Sequence, residues 1–463
     1  MHMNLKCYSP IDGSLYVERE TATSLQVEQA LASAHTAQKE WRKVPVSDRC
    51  SLAGEMITSF KEKKGPIAEE LTWMMGRPIR YTQGEIDGFV ERALYMTSIA
   101  ESSLSPVKVE EKEGFDRFIR HEPLGVALVI APWNYPYLTA VNAFLPAILA
   151  GNTVLLKHSS QTPLCAERLQ EAFDAAGFPE GVFKYLHLSH EETELLIKNP
   201  LISHVAFTGS VPGGSMVERA AAGRFISVGL ELGGKDPSYV RADADIDQAV
   251  ETVIDGAFFN SGQSCCGIER AYVAAEVYDE FISKAADLVK QYKLGRPDNP
   301  ETTLGPVVRP EAASFIRKQV DEAIAQGAKP LIDTSIFPED KEGSAYLAPQ
   351  ILVDVNHDMR VMREETFGPV LGIQKVQNDE EALKLMNDSE FGLTACLFTR
   401  NYETGIELGD RLETGTFFIN RCDYLDPALA WTGVKNSGRG VTLSAIGYEY
   451  VTRPKSFHIK KIS

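Results

Sequence analysis

Val126-Ala127-Leu128-Val129-Ile130 is an unbroken apolar run, followed by Ala131-Pro132-Trp133-Asn134-Tyr135-Pro136. With no polar residue alternating in it, the run reads as a strand buried on both faces. Pro136 suits the first turn of a helix, and the apolar stretch after it supplies one over residues 136–150. Gly151-Asn152 is a turn signal, and residues 153–157 read as the next strand. The alternation continues outward. Residues 164–176 read as a helix ended by Gly177, 184–188 as a strand, 191–198 as a short helix and 204–207 as a strand. Strands alternating with helices argue for an α/β fold with a doubly wound parallel sheet. Such sheets bind ligands beyond the carboxyl ends of their strands. The stretch from Leu138 to Leu156 is apolar enough to suggest a membrane span, but Asn142, Pro146, Gly151 and Asn152 interrupt it. A span needs about 20 apolar residues, so helix, turn and strand fit better.

Upstream, residues 24–42 carry helical spacing with Ser24 as a candidate cap. Residues 47–63 and 67–75 read as helices broken at Gly65-Pro66, and 85–100 as another. Residues 107–111 and 115–121 flank Lys112-Glu113-Gly114, a hairpin signal. Residues 454–461 read as an exposed strand, and unpaired edges of this kind invite partner chains. From Lys235 a second α/β unit begins. Its helices fall at 246–260, 277–292, 312–326 and 380–388, and its strands at 351–354 and 370–376.

The chain of 463 residues is long enough for two to three domains. Its formal charge of −17 argues against nucleic acid, which requires a basic face. Seven scattered cysteines show neither metal-type spacing nor a disulfide framework. That points to a reducing compartment, with a cytoplasmic location expected. The polar opening residues lack the apolar core of a signal peptide, and no membrane association is expected.

Chemistry concentrates in three places. Phe258-Phe259-Asn260-Ser261-Gly262-Gln263-Ser264-Cys265-Cys266-Gly267 sets two cysteines behind a small polar loop. Leu230-Glu231-Leu232-Gly233-Gly234-Lys235 sets a carboxylate beside glycines. Thr208-Gly209-Ser210-Val211-Pro212-Gly213-Gly214 follows a strand and opens a helix to Ala222, the context in which a helix N-terminus receives a phosphate. A free cysteine is most often a small core hydrophobe, and a lone Gly-rich turn is a weak signal.

Together these stretches resemble the aldehyde dehydrogenase superfamily, its hydrolytic, NAD(P)-dependent branch. They match its E-L-G-G-K, F-x-N-x-G-Q-x-C and F-T-G-S-x-x-x-G segments. Glu364-Glu365-Thr366-Phe367-Gly368-Pro369 matches its E-E-x-F-G-P. The resemblance implies a dinucleotide-binding domain over residues 1–103 and 122–233 and a catalytic domain over 234–445. An oligomerisation hairpin and C-terminal strand would occupy 104–121 and 446–463. It implies Cys265 as nucleophile, with Asn134 and the Cys265 N–H as oxyanion donors. Glu231 would be the base that activates water against the thioester. Trp133, Lys157, Ser160, Gly209, Ser210, Gly214, Leu232, Glu365 and Phe367 would hold NAD or NADP. A homodimer or homotetramer acting on a small-molecule aldehyde is expected, with no metal.

Departures from the family pattern sharpen this reading. Ser160 stands where many members carry a glutamate that repels a 2′-phosphate. With Lys157 near and His158 as a further donor, NADP is expected to be accepted, even preferred. Ala143 and Thr442 replace a lysine and a glutamate that carry protons from the base in some members. Asn142 and Phe259 stand where semialdehyde dehydrogenases carry arginines. The substrate pocket would then be walled by Tyr135, Phe259, Ser264, Cys266 and Tyr424. A hydrophobic or aromatic aldehyde is favoured. The alternatives are a semialdehyde whose anionic tail is held by Arg421, unless Arg421 pairs with Asp423, and a non-catalytic binding protein on the same fold.

Overall fold

The computed structural model describes residues 4–462. The opening run forms the strand Val126–Ala131, central in a six-stranded sheet. It lies parallel between Thr153–His158 and Ile202–Thr208. All residues of Val126–Ala131 and Thr153–His158 are buried, which is why neither strand alternates. Phe183–Tyr185 closes one edge of this sheet; Ser227–Glu231 and then Gly438–Arg439 close the other. Helix Pro136–Leu149 starts at the expected proline and is buried along most of its length.

The second sheet has seven strands in the order Lys329–Pro330, Gln350–Val353, Val370–Val376, Ile268–Ala274, Asp236–Val240, Thr394–Phe398 and Thr416–Ile419. All pair in parallel except the first. Two doubly wound layers therefore stand side by side, as the alternation requires.

Several boundaries move for identifiable reasons. Thr23, not Ser24, caps the first helix, and its hydroxyl accepts from the Gln26 N–H. The break between the next two helices falls at Lys63. Pro66 lies in the first turn of Lys64–Met75, where its missing N–H costs nothing. Helix Ile246–Phe258 stops two residues early because Asn260 and Ser261 turn left-handed, with φ of 53° and 57°. The expected strand 184–188 contracts to Phe183–Tyr185.

The hairpin turns at Gly114, whose φ of 79° favours glycine. Its long arm Phe115–Pro123 pairs with Thr452–Lys460 along its whole length. One side of the C-terminal strand is thus satisfied within the chain, and the other remains an edge. The division at 445 is also crossed. Gly438–Arg439 pairs with Leu230 and Glu231, and Leu443 and Tyr448 join the core of the first unit. Residues 1–3 and 463, which the outer segments include, lie outside the described residues.

Candidate active site

The left-handed pair Asn260-Ser261 lifts the chain out of its helix and aims the next residues at the seam between the two sheets. Gly262 has φ of 70°, and a Cβ there would lie 2.1 Å from the Gly368 carbonyl oxygen, so only glycine fits. A buried polar frame fixes the loop. Arg77 donates to Asn260 Oδ1 at 3.0 Å, to the Asn134 carbonyl at 2.6 Å and to Glu85 at 2.7 Å. Glu85 in turn accepts the Tyr137 and Leu138 N–H groups. Asn134 Nδ2 donates to the Gln263 carbonyl at 3.2 Å, so the expected oxyanion donor is tied to the cysteine loop. An amide nitrogen has two protons, and one remains for a ligand.

The two cysteines differ sharply. Cys265 is half-buried and lines two cavities, one on each side of the seam. Cys266 is buried and donates to Asp423 Oδ1 at 2.9 Å. Contact with the Cys265 thiol and then burial push Cys266 well above the ordinary thiol range. A thiol held protonated is a poor nucleophile, and of the two cysteines only Cys265 lines both cavities.

Glu231 ends the strand Ser227–Glu231, and each of its oxygens is bound. Thr208 Oγ1 donates to Oε2 at 2.9 Å and Thr442 Oγ1 to Oε1 at 2.5 Å. Burial raises its pKa above the ordinary carboxylate value, and the two hydroxyls and Arg92 oppose the rise. Ser437 anchors the neighbouring turn by donating to the Gly233 carbonyl at 2.8 Å.

The first cavity, about 630 Å³, holds Cys265, Glu231, Asn134 and the expected cofactor residues Trp133, Lys157, Gly209, Ser210, Glu365 and Phe367. Lys157 is buried, burial alone lowers its pKa, and it forms no ion pair among the described residues. Ser210 caps helix Val211–Ala221, accepting from the Gly213 N–H at 3.3 Å. Trp133 and Phe367 meet edge-on at 5.7 Å. Glu365 accepts the Gly234 N–H at 3.1 Å, and burial, with Glu269 adding repulsion, pushes it up to about 7. Glu269 itself holds the Thr366 and Phe367 N–H groups and pairs with Lys235.

Three expected cofactor residues sit elsewhere. Leu232 and Gly214 pack on one another in the core, and a Cβ on Gly214 would lie 2.6 Å from Leu232. Ser159 lines the groove, whereas Ser160 is exposed just beyond it. His158 is not a donor to the groove. Its ring faces inward, bound to the Pro136 carbonyl, the Ser159 N–H and Thr162, and burial lowers it to about 3.

The second cavity, about 680 Å³, runs from Cys265 past Tyr135, Phe259, Ser264, Cys266 and Tyr424, the aromatic wall that was expected. Arg421 is not in its lining; it is exposed and stacks on Tyr424 at 3.8 Å. Asp423 does not pair with it, because Ser264 and Cys266 donate to that carboxyl, which burial pushes up to about 7. Two cations do line the cavity, Arg77 and Arg92, and no expectation from the sequence covered either. Arg77 is committed to Glu85, Asn134 and Asn260; Arg92 is not paired with a carboxylate among the described residues. It is buried in helix Ile79–Leu104 and donates through Nη1 to the Leu138 carbonyl at 2.8 Å and to Asn142 Oδ1 at 3.3 Å. A signal existed. Glu85 and Arg92 share helical spacing with the core residues Phe89, Ala93 and Met96, so they are charges at apolar positions.

A thiol therefore stands between two cavities, one at the start of helix Val211–Ala221 and one walled by aromatic side chains. The aldehyde dehydrogenase family model matches residues 2–457. A succinate-semialdehyde dehydrogenase (NADP+) of Deinococcus radiodurans is 34% identical over 93% of this chain and 90% of its own length. A succinic semialdehyde dehydrogenase of Streptococcus pyogenes, solved in complex with NADP+, is 28% identical. It superposes with a TM-score of 0.94 over 98% of this chain and 99% of that one. A betaine aldehyde dehydrogenase of Staphylococcus aureus, in complex with NAD+, is 26% identical with a TM-score of 0.93, over 99% and 92% of the two chains. The chain belongs to the aldehyde dehydrogenase family, and is an NAD(P)-dependent enzyme that oxidises an aldehyde to its acid. Among the described residues no helix is long and apolar enough to cross a membrane, and no cluster could hold a metal ion.

Proposed function

We propose that the enzyme oxidises an aldehyde carrying an anionic tail, with Arg92 reading the tail and NADP accepted as cofactor. The observation that carries this reading is the lining of the second cavity. Its two cations are Arg77, paired with Glu85, and Arg92, which has no carboxylate partner among the described residues. Asn142, at the position where semialdehyde dehydrogenases carry arginine, receives Arg92 from the neighbouring helix. The charge is therefore supplied from helix Ile79–Leu104 instead.

In this reading the Cys265 thiolate attacks the aldehyde carbon, and the oxyanion accepts from Asn134 Nδ2 and the Cys265 N–H. A nicotinamide cofactor supplies, when bound, the acceptor for the hydride that leaves the thiohemiacetal carbon. Trp133, Glu365 and Phe367 fit around the nicotinamide end, with Leu232 behind them. Gly209 and Ser210 fit the phosphates at the start of helix Val211–Ala221, with Gly214 packed behind them on Leu232. Lys157 and Ser159 fit the adenosine ribose, with Ser160 at the rim, and an uncompensated ammonium without a nearby carboxylate suits a 2′-phosphate. Glu231 then takes a proton from water as that water attacks the thioester, releasing acid and Cys265 thiolate.

We also infer a cytoplasmic homodimer or homotetramer. The free edge of Thr452–Lys460 and exposed Val107, Val109 and Ile459 support association through the three-stranded sheet. A panel of succinic semialdehyde, hexanal, benzaldehyde and 4-aminobutanal, assayed with both cofactors, tests the function. The anionic member should have the highest kcat/KM. Preference for 4-aminobutanal would instead assign the tail to Glu91 and Asp255 on the same wall.

A further inference from the structure

Glu231 also borders a third cavity, which shares Phe207 and Thr208 with the first and none of its lining with the second. Its volume of about 20 Å³ gives room for about one water molecule. Glu231, Thr442, Asn142, Ala143, His204 and Tyr450 line it, and it reaches the surface beside Arg439. Two of these residues carry polar atoms that are buried and without a partner: Asn142 Nδ2 and His204 Nδ1. Asn142 and His204 are 2% and 4% exposed. The orphans are complementary. Asn142 Nδ2 is a donor lacking an acceptor. His204 Nδ1 lacks a partner, and in the neutral ring that burial favours it accepts when the other nitrogen carries the proton. A water accepting from Asn142 and donating to His204 would satisfy both, and a buried polar pair this close to a cavity wall otherwise costs stability.

We infer that this chamber holds an ordered water and is the route by which Glu231 sheds the proton taken from the attacking water. The inference rests on Glu231 being the base. After attack, the proton sits on the Glu231 carboxyl, next to Thr442 at the Oε1 contact. The carboxyl donates to Thr442 Oγ1, the Thr442 hydroxyl passes its own proton to the chamber water, and that water releases one to solvent past Arg439. Each hand-over breaks one O–H bond and forms another, and Glu231 returns to the carboxylate. His204 orients the water and does not store the proton. Ala143 matters by being small, since a larger apolar side chain would fill the chamber. Thr442 and Asn142 are positioning residues here.

The test uses the whole enzyme, with rapid mixing to separate the reduced-cofactor burst from the steady state that follows. Thr442→Val should keep the burst and slow the steady state about tenfold or more, with Thr442→Ser restoring it. Imidazole buffer at rising concentration should accelerate the Thr442→Val steady state and leave the native one unchanged. Ala143→Leu should behave as Thr442→Val does. Native turnover in both Thr442→Val and Ala143→Leu overturns the route. A slow Thr442→Val steady state that imidazole does not accelerate also overturns it, since Thr442 would then only hold Glu231 in place. Loss of the base reading is separate, and would show as native steady-state turnover in Glu231→Gln.

Discussion

Replacing Arg92 with methionine keeps an unbranched side chain of similar length and removes the charge. If the guanidinium binds a substrate carboxylate, the lost contact is a hydrogen bond between charged groups, worth about 1.5–3 kcal/mol. At 1.4 kcal/mol per factor of ten, kcat/KM for succinic semialdehyde should fall roughly 10- to 150-fold. Hexanal has nothing to offer Arg92, so its kcat/KM should hold or rise as the wall becomes apolar. The variant also strips the Leu138 carbonyl and Asn142 Oδ1 of a donor. Stability should therefore drop by about 1–3 kcal/mol, which a thermal melt would register. The ratio of the two kcat/KM values, measured on native and variant enzyme, removes that general cost. A ratio left unchanged would show that Arg92 is a structural strut and does not read the tail.

Cys265→Ser should abolish turnover while cofactor affinity holds, whereas Cys266→Ser, whose hydroxyl can still donate to Asp423, should keep substantial turnover; steady-state rates and cofactor titrations on both decide it. Acid should slow thioester hydrolysis early. Burial raises the Glu231 pKa and a base must be ionised, so the acid limb of kcat should lie above the ordinary carboxylate range, and a pH–rate profile with no such limb would count against Glu231. Ser160→Glu should move preference from NADP towards NAD, since a carboxylate near the 2′-phosphate costs on the order of a few kcal/mol; dissociation constants at one salt concentration would show it, and an unchanged ratio would take Ser160 out of ribose recognition.

The first sheet was legible because its central strands are buried on both faces and bounded by glycine and proline. The second was less so. Asp236–Val240 and Ile268–Ala274 carry Asp236, Glu269 and Arg270, charges buried only because Thr394, Lys235 and neighbouring backbone satisfy them. Local pattern hides such strands. That Cys265, Glu231 and Asn134 share one cavity was expected because short motifs carry them. Glu85 and Arg92 showed only as charges at apolar helix positions, and Arg77 and Thr208 were not legible, since they act through partners far away in sequence. The inward turn of His158 and the pairing of Asp423 with two side chains of the cysteine loop were hidden for the same reason.

The central claim is that Cys265 forms a thioester and Glu231 hydrolyses it. Rapid mixing of Glu231→Gln with aldehyde and oxidised cofactor tests it most directly. A burst of reduced cofactor close to one per active site should appear, followed by a steady state slowed about 100-fold or more. Equal loss of burst and steady state, or native turnover in both, would contradict it.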